Sequence, residues 1–214
     1  VEKVETLIPL TNLSRVSAGD LNDDGWVDLI VSRSNDGYTS DTESAIFWNR
    51  GGKFSIDDAS WVPSGKPIGN THGDLNNDGV PEVIFNSFGS GRINGTDSFV
   101  YLGNGEGNYS VNRRIDLPRH ETYDSCMVDL NLDGLKDLVI AGADSVTNYA
   151  ETVHSLSAKV YVKNPVNGNY NFVKHIRGAR TARFVDIDHD RIPDIIASGT
   201  TEIGNADSTF SNVY

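Results

Sequence analysis

Short apolar runs alternate with polar, glycine-rich loops along the whole chain, and the runs recur in a fixed order. Four of them, at 27–32, 82–86, 137–141 and 194–197, are β-branched and almost continuously apolar. Runs of that length and make-up are predicted as buried strands. A second strand-like stretch precedes each, at 15–19, 68–73, 123–128 and 181–185. A third follows each after a loop of variable length, at 44–48, 98–102, 158–162 and 209–214, and it alternates with aromatics at matching places. Glycine and asparagine turns come next, over 49–52, 103–107 and 167–169; such residues tolerate the positive φ of tight hairpins. A fourth strand is predicted at 53–56, 108–111 and 170–173. No stretch has a convincing helical period.

Each unit therefore reads as a four-stranded antiparallel meander of about 55 residues. A lone meander cannot bury both of its faces, whereas meanders stacked around an axis can. The expected fold is an all-β β-propeller of four-stranded antiparallel blades, with residues 1–214 forming a single domain. The last unit lacks a fourth strand, and residues 4–9 stand where they could supply one. Two arrangements follow: a closed four-bladed ring, or part of a larger propeller, for example a seven-bladed one. The abrupt start at Val1 and stop at Tyr214 favour the second.

The loop between the first two strands of each unit carries the chemistry. The four loops begin at residues 20, 74, 129 and 186, steps of 54, 55 and 57, a near-constant period that marks repeat architecture. Oxygen-bearing side chains occupy the first, third, fifth and ninth places. They are Asp20, Asn22, Asp24 and Asp28; Asp74, Asn76, Asp78 and Glu82; Asp129, Asn131, Asp133 and Asp137; and Asp186, Asp188, Asp190 and Asp194. The seventh residue, Trp26, Val80, Leu135 or Ile192, can add its backbone carbonyl. The sixth must turn sharply, and is Gly25, Gly79 or Gly134 in three loops and Arg191 in the fourth. Ca²⁺ takes six to eight such oxygen ligands, so about four Ca²⁺ ions are expected, the fourth loop being the least favourable. An EF-hand would need a glutamate at the twelfth place and flanking helices; here Val31, Phe85, Ile140 and Ala197 stand there, between strands. Mg²⁺ fits less well because it keeps more of its waters.

The units resemble the FG-GAP and VCBS repeats, the former familiar from the propellers of integrin α subunits. The likeness rests on Gly-Asp-Leu-Asn-Asp-Asp-Gly-Trp-Val-Asp-Leu-Ile-Val at 19–31 and Gly-Asp-Leu-Asn-Asn-Asp-Gly-Val-Pro-Glu-Val-Ile at 73–84, with the other two copies in the same frame. Tyr101-Leu-Gly-Asn-Gly-Glu-Gly-Asn-Tyr109 looks like that family's hairpin after the third strand. The resemblance implies Ca²⁺ on one face and a ligand on the other. It does not specify an activity, since similar repeats occur in adhesion receptors, lectins, polysaccharide-degrading enzymes and bacterial surface proteins.

Charge agrees with ion binding. The formal net charge is −12, and thirteen of the 30 acidic residues occupy the loop places named above. Four Ca²⁺ ions would leave about −4, so the acidity reads as cation capacity and argues against nucleic acid as a partner. No apolar run reaches membrane-spanning length, so no membrane insertion is expected. Oxygen-only loops suit the Ca²⁺ levels outside the cell, so an extracellular, secreted or surface location is expected. The single cysteine, Cys126, reads as a buried small hydrophobe.

A protein or glycan partner, or other parts of a larger assembly, would meet the face where the variable loops lie. Tyr38, Trp61, Arg92, Arg119, His120 and Tyr149 are its candidate contacts, since aromatics with arginine suit sugar or protein surfaces. No nucleophile, zinc or phosphate-loop signature is present, and His72 is expected to be packed rather than catalytic. The expected role is non-enzymatic: adhesion, recognition or scaffolding. The alternatives are a lectin-like propeller and the propeller domain of a polysaccharide-cleaving enzyme.

Overall fold

The computed structural model describes residues 8–34, 42–87, 98–117, 121–148, 151–200 and 209–213. They are all-β and form four antiparallel sheets. The first holds β1 (Leu13–Gly19), β2 (Asp28–Arg33), β3 (Glu43–Phe47) and β4 (Ser60–Pro63) in that order. The second holds β5 (Pro67–Gly73), β6 (Glu82–Ser87), β7 (Phe99–Tyr101) and β8 (Arg114–Asp116). The third holds β9 (Glu121–Val128), β10 (Asp137–Asn148), β11 (Glu151–Lys163) and β12 (Tyr170–Arg177). The fourth holds β13 (Ala179–Val185), β14 (Asp194–Thr200) and β15 (Thr209–Val213). Among the described residues the only helical turn is a 3-10 turn at Val111–Arg113, and no helix is long and apolar enough to cross a membrane.

The near-continuous apolar strands bury both faces, and the sheets stack in chain order. Ile30, Ile46 and Val62 of the first sheet pack on Val83, Phe85 and Tyr101 of the second. The other face of the second sheet, Ile84 and Val100, packs on Leu138 and Ile140 of the third. The far face of the third, Val139, Ala141, Ala158 and Val160, packs on Ala179, Ala182 and Ala197. On the outer face of the first sheet, Val31, Ala45 and Phe47 are covered partly by Ile8 and Leu10. The first strands form the succession: β1 lies against β5, β5 against β9 and β9 against β13, while β13 makes no comparable contact with β1.

Each first strand carries one bulge at the same place. Ser14, Ile68, Tyr123 and Arg180 are the extra residues, each five before the end of its pairing register. A bulge bends its strand and strengthens the local twist. Bulged segments of neighbouring sheets also meet. Ser14 Oγ donates to the Pro67 carbonyl at 2.6 Å, and the Arg180 guanidinium lies 4.6 Å from the Tyr123 ring centre.

The first three strands of each unit fall where the sequence places them, but two of the fourth strands do not. The first unit closes with Ser60–Pro63 rather than 53–56. Val62 reaches the core at 1 % exposure, whereas Ile56 stays exposed in a turn in which Ala59 N–H donates to the Ile56 carbonyl. In the second unit, the strand is Arg114–Asp116 rather than 108–111. Tyr109 is drawn into the core, stacked on Trp48 at 6.2 Å between ring centres, and the chain must complete a 3-10 turn before it can pair. The third unit's strand begins at Tyr170 as predicted and runs on to Arg177. Of the predicted N-terminal strand, residues 4–7 lie outside the described residues, and Ile8 and Pro9 are not in a strand.

The second residue of each acidic loop is the plug between one sheet and the next. Leu21 and Leu75 are buried, Leu130 is half-buried, and Ile187 is 44 % exposed because no described sheet follows the fourth. Leu21→Ala is therefore expected to cost about 3 kcal/mol of unfolding free energy, through lost transfer energy plus a cavity. Ile187→Ala should cost less than about 1 kcal/mol. Denaturant unfolding of the two variants checks this, and equal costs would contradict the sheet order.

Candidate functional site

Each loop is closed at its base by a strand pair. Gly19 pairs with Asp28, Gly73 with Glu82, Val128 with Asp137 and Val185 with Asp194. The ninth residue of every loop thus lies on the second strand, while the first eight arch above the pair.

The arch has one backbone conformation in all four copies. The fourth residue is left-handed: Asp23, Asn77, Leu132 and His189 have φ between 57° and 64°. The sixth is left-handed as well: Gly25, Gly79 and Gly134 have φ of 84° to 87°, and Arg191 has 74°. The predicted sharp turn is present even where glycine is missing. At Gly25, Gly79 and Gly134 an added Cβ would meet nothing within 4 Å, so the constraint there is φ alone and not space.

Backbone amides aim the carboxylates inward. Asp20 accepts from the amides of Asp24 at 3.2 Å and Gly25 at 2.9 Å. Asp74 accepts from Asp78 and Gly79, and Asp129 from Asp133 and Gly134, at 2.8 to 3.1 Å. Asp186 accepts from Arg191 at 3.0 Å. The fifth residue accepts from the seventh in every loop, at 2.7 to 2.9 Å: Asp24 from Trp26, Asp78 from Val80, Asp133 from Leu135 and Asp190 from Ile192. The third residue is tied to the fifth: Asn22, Asn76, Asn131 and Asp188 each accept from the amide two residues on.

The ninth residue has a second task. Asp28 accepts from the amides of Leu21 at 3.0 Å and Asn49 at 2.9 Å, which ties the loop to the end of the third strand. Asp137 does the same with Leu130 and Lys163, both at 2.9 Å. Glu82, longer by one methylene, accepts from Leu75 at 2.8 Å, Asn76 at 3.2 Å and the Asn76 side-chain amide at 3.3 Å. Asp194 accepts from Ile187 at 2.9 Å. Asp28, Glu82 and Asp137 are fully buried.

Burial makes Asp28 and Glu82 poor anions. Desolvation raises the Asp28 pKa first; like charge on Asp24 and Asp20 adds to it, and the backbone hydrogen bonds oppose it. Glu82 is pushed up to about 7 by the same causes, with Asp78 and Asp74 as the like charges. Crowded like charge comes after burial as a cause of the rise.

The donor set fits a hard cation. It is made of carboxylates and amide carbonyls, gathered by a loop whose N–H groups are spent holding them. In the fourth loop, one ligand atom each from Asp186, Asp188 and Asp194 lies within 4.8 Å of the others, and Asp186 Oδ1 is buried with no hydrogen-bond partner. An unpaired buried carboxylate oxygen is costly unless a cation or proton meets it.

Among the other predicted site residues, Tyr38, Arg92, Arg119, His120 and Tyr149 lie outside the described residues. Trp61 is half-buried within β4, not on a connecting loop. It stands edge-on to Phe47 at 6.5 Å, with the Arg33 guanidinium 5.3 Å from its ring centre. Trp61 thus lies in the sheet rather than on a connection between units, because β4 forms seven residues later than expected. His72 packs against Gly19, where an added Cβ would fall 2.2 Å from Nε2, and burial lowers its pKa. The Cys126 thiol is pushed up to about 12 by burial, as suits a packed side chain rather than a nucleophile.

Sheets and loops together define an all-β repeat protein with an acidic loop at the base of each first hairpin. Residues 20–85 match the family model of the FG-GAP-like repeat, so this stretch of the chain carries that repeat. The matched stretch runs from the first loop through β2–β5 and the second loop into β6. No curated protein matches the chain.

Two outcomes follow. Arg191→Gly should raise the unfolding free energy by up to about 1 kcal/mol, since glycine adopts the left-handed φ without strain and loses part of that gain to chain entropy. Thermal or denaturant melts check it. The second concerns pH without cation. Folded Glu82 holds its proton to about 7, and its ordinary value is 4.5. The folded state therefore binds more protons between those values, and stability falls as pH rises through the window. In chelator, the stability of the chain relative to Glu82→Gln should drop by roughly 3 kcal/mol between pH 4.5 and pH 7 and then level off. A flat difference curve would refute the buried-acid account.

Proposed function

We propose that the chain is a calcium-loaded β-propeller, or a four-blade portion of one, that acts outside the cell as a recognition, adhesion or scaffolding module. The observation that carries this reading is the fourfold recurrence of one loop geometry, with left-handed residues at the same two places and amides holding the acidic side chains inward. Turn-forming sequences alone have no reason to repeat that whole pattern at each sheet. The stack of sheets, each burying both faces against its neighbours through consecutive first strands, supports the propeller. The lack of a β13–β1 contact comparable to those between the other first strands favours a portion of a larger wheel over a closed four-bladed ring.

Asp20, Asn22, Asp24 and Asp28, and their counterparts in the other three loops, would hold the ions, with the carbonyls of Trp26, Val80, Leu135 and Ile192 as further ligands. Bound Ca²⁺ supplies positive charge that offsets the burial of the ninth carboxylate and the crowding of the rest. That role is structural: it clamps the base of each hairpin and fixes the loop. Recognition then falls to the variable loops, and a protein or glycan is the partner. A non-enzymatic role fits the described residues, whose acidic clusters are engaged in the loops and whose thiol is held protonated by burial.

Ca²⁺ in millimolar excess should raise the melting temperature well above that in chelator, while Mg²⁺ should do so much less. Each site at about 100 times its Kd contributes roughly 2.7 kcal/mol. Calorimetric titration should count about four ions. A melting curve indifferent to chelator, with no binding heat, would overturn the reading.

A further inference from the structure

The second and third loops touch each other directly. Asn77, the left-handed fourth residue of the second loop, donates its side-chain amide to the carbonyl of Gly134, the sixth residue of the third. Lys163 stands just past the end of the third strand's pairing with β10 and is only 8 % exposed. Its backbone amide donates to Asp137 Oδ1 of the third loop at 2.9 Å, and its ammonium donates to the Leu75 carbonyl of the second loop at 3.0 Å. The Tyr170 hydroxyl lies between the carbonyls of Leu75 and Lys136, at 3.2 and 3.3 Å.

The first and second loops have a weaker version of this joint. Tyr109 puts its hydroxyl 2.8 Å from the Pro81 carbonyl and 3.5 Å from that of Leu21, so its one proton serves the nearer. Asn49, whose amide meets Asp28 as that of Lys163 meets Asp137, turns its side chain back to Val27 of its own loop at 3.0 Å. Lys163 alone among these counterparts reaches across to the preceding loop.

We propose that Lys163 and Asn77 make the second and third loops a coupled pair of cation sites, in which filling one raises the affinity of the other. This rests on the calcium reading above. The path is short and physical. A cation in the third loop fixes Asp137, Asp137 fixes the Lys163 backbone, and the buried ammonium then holds the Leu75 carbonyl, whose own peptide N–H, that of Asn76, donates to Glu82. Asn77 ties the two arches at their crests. Both residues are positioning residues: each acts on ligands through hydrogen bonds and neither is counted as a ligand.

The test uses the full chain with the first and fourth loops disabled by Asp20→Ala and Asp186→Ala, and titrates Ca²⁺ by calorimetry. The affinity of the third loop should fall about three- to tenfold when Asp74→Ala disables the second. With Lys163→Met and Asn77→Gly added, disabling the second loop should leave the affinity of the third unchanged. Methionine keeps the buried stem without the ammonium, and glycine keeps the left-handed φ at 77. Should Lys163→Met fail to fold, Asn77→Gly alone, on an exposed arch, must still reduce the coupling measurably. Two ions binding with affinities independent of each other in the parent would overturn the coupling while leaving the calcium reading intact. Absence of any binding heat would overturn both.

Discussion

The hydrogen bond from the second residue of each loop to the ninth residue's carboxylate is the contact on which the rest depends. It joins the start of the arch to the strand that ends it, over a separation of seven residues, in all four copies. Without it the arch has no fixed base, and the carboxylates above it have no common centre. In two copies the second oxygen of the same group reaches the end of the third strand, so one side chain gathers three segments. At Asp28 and Glu82 this hub is fully buried, and burial is what raises the pKa there. Stability and proton affinity therefore come from one geometric demand. On the proposed calcium reading, a divalent cation would meet this demand without protonating the hub.

The same arch faces in two directions. Its first residue points its oxygens into the loop, and its second residue plugs the gap to the following sheet. Asp20 and Leu21 show the division most clearly, for Leu21 is fully buried among residues of the first two sheets. A change in the loop therefore moves the packing between sheets, and looser packing moves the carboxylates. Local order at the acidic face and cohesion of the stack are one property in this chain. This is why an acidic chain with only 37 % hydrophobic residues can bury both faces of successive sheets: much of its polar content is placed in the arches and not in the strands.

The loops were legible in the sequence because their constraint is local. Spacing of oxygen donors and the glycine at the sixth place report a backbone path, and the path is present even where Arg191 replaces glycine. First, second and third strands were legible for a similar reason, since a run such as Val83–Phe85 offers apolar side chains to both faces. The fourth strands were not, because they are set by what the core lacks. Ile56 and Trp61–Val62 read alike as strand material, and only the gap filled by Val62 decides between them. The repeated bulges at Ser14, Ile68, Tyr123 and Arg180 leave no residue-type signature at all. Lys163 read as the end of an alternating strand, and its reach to Leu75 depends on how two sheets stand, which no single repeat encodes.

That contrast separates two kinds of information in a repeat protein. What each unit must do alone is written in every copy, and the copies agree. What one unit does to the next is written once, at positions where the copies differ: Asn49 and Lys163 occupy equivalent places, yet one closes on its own loop and the other on its neighbour's. The tyrosines make the same point. Phe54, which follows the first turn as Tyr109 and Tyr170 follow theirs, packs in the outer cluster of the first sheet and has no hydroxyl to offer a preceding loop. Differences among copies at the joints are therefore where a uniform stack acquires distinct steps. On the proposed calcium reading, loops identical in every contact would bind ions as equivalent sites, whereas among the described residues Lys163 and Asn77 join the second loop to the third.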